Sequence, residues 1–236
     1  MTRVLVIDDE KPTLAMFELL LQAMGYEPSV AESGEQGLDI FAQGDFPIVL
    51  TDIKMPGIDG LEVLSRIKAM RPETEIIVIT GHGDVELALA ALNLRATDFI
   101  DKPISQSALT TALHRASERL SRSANAVAPA FLRLEGELAV LEITGANSGS
   151  MDDIAAQLAD APQLRKLLVT VGEFASLNGA AISGLASILE SFRLRHGSAA
   201  IACKPLNFRR VFEAAGIAAL AQVHETTEKA RQALGL

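Results

Sequence analysis

The chain has 236 residues, enough for one large domain or two ordinary ones, and 49% of them are hydrophobic. Aromatic residues make up only 4%, with no Trp, which argues against a base-stacking or carbohydrate platform, and the single Cys203 excludes a disulfide framework and a cysteine metal site. Residues 1–120 hold 19 acidic and 10 basic side chains, residues 121–236 hold 11 of each, and neither half has the cationic excess that neutralises nucleic-acid phosphates. Met1-Thr2-Arg3 runs straight into Val4-Leu5-Val6-Ile7 and then acids, without a signal-peptide pattern. No uncharged apolar run reaches the roughly 18 residues of a membrane span, so a cytoplasmic protein without a membrane partner is expected.

Strand-like and helical runs alternate through the first half. Residues 4–7 read as a strand and 12–24 as a helix. Leu14, Phe17, Leu21 and Met24 fall three or four apart on one helix face, and Pro12 suits the first turn. The pattern continues with strand 27–30, helix 34–43, strand 48–50, helix 61–70, strand 76–79, helix 85–95 and strand 98–100. A last helix, capped by Ser105, runs to 120. Five such units predict an α/β fold, a doubly wound five-stranded parallel sheet with helices on both faces.

The strand ends carry the chemistry. Strand one ends in Asp8-Asp9, strand three in Asp52, strand four in Thr80 and strand five in Asp101-Lys102-Pro103. In a doubly wound sheet these ends lie side by side, at the edge where ligands bind. Asp52 alone would read as a solvated strand terminus; its company makes it a site. Packed carboxylates raise one another's pKa unless a cation is present. A few hard oxygen ligands suit Mg²⁺, which keeps several waters and shares its shell with phosphate. Lys102 can neutralise a transferred phosphoryl group, and Asp52 is free to attack it.

Asp8-Asp9, Asp52 with Met55-Pro56-Gly57, Thr80-Gly81 and Lys102-Pro103 resemble the receiver domain of two-component response regulators, in order and spacing, over residues 1–121. The resemblance implies a flavodoxin-like sheet of order 2-1-3-4-5 and Asp52 as phosphoacceptor. It implies that Asp9, Asp52 and the backbone carbonyl of Lys54 bind Mg²⁺, that Asp8 acts through a water, and that Lys102 contacts the phosphoryl oxygens. It further implies a cis peptide before Pro103, and switch roles for Thr80, which would bond the phosphoryl group, and Phe99, which would fill the space Thr80 leaves. Rival readings fit less well. A dinucleotide site needs a glycine-rich turn where Asp8-Asp9-Glu10 stands, and a haloacid dehalogenase site needs a second Asp where Lys54 stands. His82, His114, His196 and His224 lack metal-ligand spacing and read as surface or packing residues.

Residues 122–130 are small and polar, end near Pro129, and read as a linker. Beyond them two strands, 132–134 and 138–143, flank the turn Glu135-Gly136-Glu137. A loop at 147–150, helix 151–158, strand 167–171, helix 179–195, strand 199–202 and helices 207–215 and 226–234 follow. This order predicts a mixed sheet with helices mainly on one face. The order, with Phe174 to Gly179, Cys203-Lys204-Pro205 and the run Phe208 to Ile217, is similar to STAS domains, the fold of anti-sigma factor antagonists, over 131–236. That family carries a phosphorylated serine before the long helix; here the turn is Ser176-Leu177-Asn178-Gly179, and Asn178 stands at that place. Asn cannot take a phosphate, so control would pass to Asp52, with Ser176, Asn178 and Gly179 on the partner surface. Ser176 and Ser183 stay open as acceptors. The competing reading makes Asn178 a helix cap.

The expected protein is a response regulator phosphorylated by a histidine kinase or phosphotransfer protein. Its STAS-like half would bind a protein partner, such as an anti-sigma factor, a kinase-type regulator or another STAS protein. Beyond labelling and dephosphorylating Asp52 it would not be an enzyme. A DNA-binding transcriptional output and an enzymatic output are the alternatives, the first disfavoured by charge. The sequence leaves open homodimerisation through helices 85–95 and 105–120.

Overall fold

The computed structural model describes residues 1–81, 84–122, 130–144, 146–147, 151–172, 175–195, 197–204 and 206–236. The chain divides into two units, Met1–Asn125 and Ala126–Leu236.

In the first unit β1 (Arg3–Ile7), β2 (Glu27–Ala31), β3 (Ile48–Asp52), β4 (Glu75–Thr80) and β5 (Asp98–Asp101) form one parallel sheet in the order β2-β1-β3-β4-β5. Five helices connect and follow them: α1 (Lys11–Ala23), α2 (Gly34–Gln43), α3 (Gly60–Met70), α4 (Val85–Asn93) and α5 (Gln106–Arg122). Their starts have local causes. Pro12 occupies the first turn of α1, the Ser33 side chain caps α2 by accepting from the Gln36 N–H, and Asp59 caps α3 by accepting from the Glu62 N–H. Apolar residues of alternating strand positions then meet α1 and α5: Val4, Val6, Ile48, Leu50, Ile77 and Ile79 pack against Phe17, Leu21, Leu109 and Leu113. Burial of such a continuous core is the main force holding the sheet.

Strand order fixes the site. β1 and β3 are neighbours with Ile7 opposite Thr51, so Asp8 and Asp52 each stand one step beyond a paired position. The chain leaves β1 toward β2 on one side and β3 toward β4 on the other, which opens a crevice at the carboxyl edge.

The second unit holds a mixed five-stranded sheet of order β12-β11-β9-β7-β6, from β6 (Ala130–Glu135), β7 (Leu138–Ile143), β9 (Lys166–Val171), β11 (Ser198–Cys203) and β12 (Gln222–His224). The β6–β7 hairpin is antiparallel and the other pairings are parallel. The helices are α6 (Met151–Ala159), α7 (Gly179–Leu194), α8 (Leu206–Ala214) and α9 (Thr227–Ala233). Leu138, Val140, Leu168, Ala200 and Ala202 on one sheet face pack with Ala230 and Leu234, so α9 covers that face. The alternate strand residues Ala139, Leu141, Leu167, Val169 and Ile201 are also buried, so this sheet is covered on both faces.

Several expectations need correction. The fourth helix stops at Asn93, and Arg95 adopts a left-handed conformation at φ 68° instead of ending the helix. Asn147 is not loop: β8 (Ala146–Asn147) pairs in parallel with β10 (Ser176–Leu177). α5 extends through Arg122 and β6 begins at Ala130, so both ends of the expected linker belong to regular elements. The rest of that linker, 123–129, lies outside the described residues, as do Ser148, Ser150, Glu173, Phe174, His82, His196 and Pro205.

Candidate functional site

Ligand oxygens of Asp8, Asp9 and Asp52 all lie within 4.8 Å of one another. Asp8 and Asp52 are buried, while Asp9 is exposed. Lys102 reaches the cluster from the loop after β5, its Nζ 3.3 Å from Asp52 Oδ2, 3.4 Å from Asp8 Oδ2 and 3.8 Å from Glu10 Oε2. The Lys102 N–H donates to the Thr80 carbonyl at 2.8 Å, which seats that loop beside β4. The Lys102–Pro103 peptide bond is cis.

The electrostatics follow from this packing. Burial raises the Asp52 pKa; Lys102 opposes that rise and the Asp8 carboxylate adds to it. Burial likewise raises Asp8, against the Glu10 N–H and Lys102. For Lys102 burial disfavours the ammonium, but the Asp52, Asp8 and Glu10 carboxylates outweigh it and hold the pKa above its ordinary value. Three carboxylates around one ammonium leave negative charge unbalanced. A hard divalent cation fits this donor set: exposed Asp9 leaves room for waters, and only a few protein oxygens converge, as Mg²⁺ prefers.

Thr80 is not aimed freely at Asp52. Its hydroxyl donates to Asp101 Oδ1 at 3.1 Å, and the residue is buried. Phe99 is also buried, opposite Val78 across β4 and β5. The Lys54 ammonium extends outward to Asp84 Oδ2 at 2.7 Å. Asp84 and Glu10 were not singled out from the sequence, and Asp101 was placed at the end of strand five without a partner, because nothing in their local spacing shows which group each would meet. Asn178, Gly179 and the backbone of Ser176 belong to the second unit, at the start of α7, and the side chain of Ser176 lies outside the described residues. Asn178 accepts from the Ala181 N–H at 2.8 Å and caps α7.

A parallel sheet of order 2-1-3-4-5 with acids, a hydroxyl residue and a lysine at its carboxyl edge defines a flavodoxin-like domain whose clustered carboxylates could hold a metal ion. Residues 4–114 match the response regulator receiver domain, and the N-terminal unit belongs to that domain family. Over 125 residues the chain is 35% identical to the transcriptional regulatory protein FixJ of Bradyrhizobium diazoefficiens, covering 53% of this chain and 61% of FixJ. Over 118 residues it is 38% identical to the C4-dicarboxylate transport transcriptional regulatory protein DctD of Pseudomonas aeruginosa, covering 50% of this chain and 25% of DctD. A structure of the response regulator protein TrrA of Thermotoga maritima, in complex with Mg(2+)-BeF, aligns at 33% identity and TM-score 0.46, covering 49% of this chain and 99% of that one. The chain thus spans less than two thirds of the curated relatives it matches. No helix among the described residues is long and apolar enough to cross a membrane.

Proposed function

We propose that Asp52 is the phosphoacceptor, charged by a histidine kinase or phosphotransfer protein. The observation that carries this is the approach of Lys102 Nζ to Asp52 Oδ2 at 3.3 Å, beside Asp8 and Asp9. An Asp52 carboxylate oxygen attacks the phosphorus of a phosphohistidine. The P–N bond breaks with its electron pair left on the imidazole, which takes up a proton from solvent. Lys102 holds positive charge where the phosphoryl oxygens arrive. Asp9, Asp52 and the Lys54 carbonyl would hold Mg²⁺, with Asp8 acting through a water, and the ion when bound supplies charge neutralisation for the dianionic group. Water later hydrolyses the acyl phosphate, and this labelling and its reversal are the domain's only chemistry.

The switch reading assigns Thr80 to the phosphoryl group, which requires its hydroxyl to leave Asp101, and assigns Phe99 to the vacated space. A new charge on Asp52 biases two arrangements of one element. Inverting a 99:1 population takes about 5.5 kcal/mol of differential stabilisation.

For the output, relatives that are named transcriptional regulators favour an effect on transcription through DNA. Their similarity is confined to about half of this chain, so the output unit is read from its own residues. Residues 121–236 balance 11 acids with 11 bases, which favours a second route to the same end: a STAS-like surface around Asn178 that binds a protein partner such as an anti-sigma factor. The two routes separate in one experiment with beryllofluoride-treated protein. Binding to duplex DNA that weakens steeply with salt supports direct contact. Phosphoryl-mimic-dependent capture of an anti-sigma factor, with no salt-sensitive DNA binding, supports the protein route.

A further inference from the structure

We propose that Glu35 is a positioning residue for the divalent-cation site, acting through the loop between β3 and α3; this rests on the phosphoacceptor reading above. That loop carries the Lys54 carbonyl, and three hydrogen bonds define its path. At its start the Ile53 N–H donates to Ile79 O at 3.1 Å, and at its end the Gly60 N–H returns to Ile53 O at 3.0 Å. Between them, its outer tip is tied to a different helix: the Ile58 N–H donates to Glu35 Oε1 at 3.1 Å, from the first turn of α2.

The contact is built for close approach. Gly57, next to Ile58, has φ +76°, and a Cβ there would lie 2.5 Å from Glu35 Oε1. A Cβ on Gly34, the residue before Glu35, would lie 2.5 Å from the Ile58 carbonyl. Backbone N–H groups of Glu35 itself and of Ile58 hold the Glu35 carboxyl below its ordinary range, so the acceptor is an ion at neutral pH. Without it the loop's tip loses its tie to α2, leaving the two end hydrogen bonds and the Lys54–Asp84 ion pair, and the backbone carrying the Lys54 carbonyl, which the phosphoacceptor reading gives to Mg²⁺, is held less firmly. Preorganisation of a ligand group by a neighbouring hydrogen bond commonly sets metal affinity.

The test titrates MgCl₂ alone into the full chain by calorimetry, for wild type, Glu35→Ala and Glu35→Gln. The Ala variant is expected to bind Mg²⁺ about three- to tenfold more weakly, and the Gln variant, which keeps a side-chain carbonyl acceptor, to stay within about twofold of wild type. Melting curves of the Mg²⁺-free proteins separate general destabilisation from loss of affinity, since the titration is run well below every midpoint. Equal affinity for Ala and wild type, or equal weakness of Gln and Ala, overturns the role of Glu35 while leaving the phosphoacceptor reading standing. A wild-type protein that does not bind Mg²⁺ overturns both.

Discussion

Replacing Gly60 by Ala probes how closely α3 is set against the phosphoacceptor strand. An added Cβ would fall 2.0 Å from the Asp52 carbonyl oxygen and 2.8 Å from both the Asp52 carbonyl carbon and Ile53 Cα. Heavy atoms of this kind rest at about 3.5 Å, so the first turn of α3 must retreat by about 1.5 Å. All three atoms are backbone, and none can rotate aside. Overpacking of this kind costs roughly 1–3 kcal/mol. For a unit of this size each kcal/mol lowers the midpoint by about 3–6 °C, giving a loss of about 3–18 °C. Circular dichroism melts of the full chain read the stability, and Mg²⁺-dependent labelling with acetyl phosphate reads the site. Both should fall, since the retreat pulls on the Asp52 main chain and on the Gly60-to-Ile53 hydrogen bond. A variant that melts within 2 °C of wild type and labels at the same rate would refute the reasoning.

Asp52→Asn should abolish labelling and also change the response of stability to pH. Burial raises the folded-state pKa of Asp52, so its contribution to stability is present below the unfolded pKa and lost as pH rises through the folded value. The Asn variant should therefore gain on wild type from acid toward neutral pH, and parallel Tm–pH curves would contradict this. Lys102→Ala removes the ammonium next to two buried carboxylates, and should cost about 1–3 kcal/mol at neutral pH, less than for a fully buried pair because Lys102 is partly exposed. That loss should shrink on acidification, and a pH-independent loss in urea titrations would count against the pairing. In the second unit Phe192 is fully enclosed, and Phe192→Ala should lower that unit's stability by about 3–5 kcal/mol without changing the rate of Asp52 labelling. A matching drop in labelling would mean the two units do not fold apart.

Much of the receiver unit was readable in advance because its signals are local. Each strand is a short apolar run ending in a chemically distinct residue, and two helix starts are marked locally, by Pro12 in the first turn of α1 and by Ser105, whose hydroxyl accepts from the Ala108 N–H at 3.1 Å. The edge that gathers Asp8, Asp9, Asp52 and Lys102 followed from strand alternation alone. What escaped depends on distant partners. The Thr80 hydroxyl meets Asp101, Lys54 meets Asp84 and Glu35 meets Ile58, and none of these pairs has a sequence spacing that announces it. The second unit was harder for a related reason. β12 is three half-polar residues, and the two-residue β8 exists because β10 pairs with it. The left-handed Arg95 shortens α4 where an Ala/Leu-rich run predicted more helix.

The most direct measurement is the chemical location of the phosphoryl group. The full chain is incubated with Mg²⁺ and acetyl phosphate, the acyl phosphate is trapped by borohydride reduction, and the modified peptide is sequenced by mass spectrometry. A single modification at Asp52, absent from Asp52→Asn and from protein stripped of Mg²⁺, is the predicted result. Modification at Asp8 or Asp9 instead, or labelling that persists in either control, would contradict it.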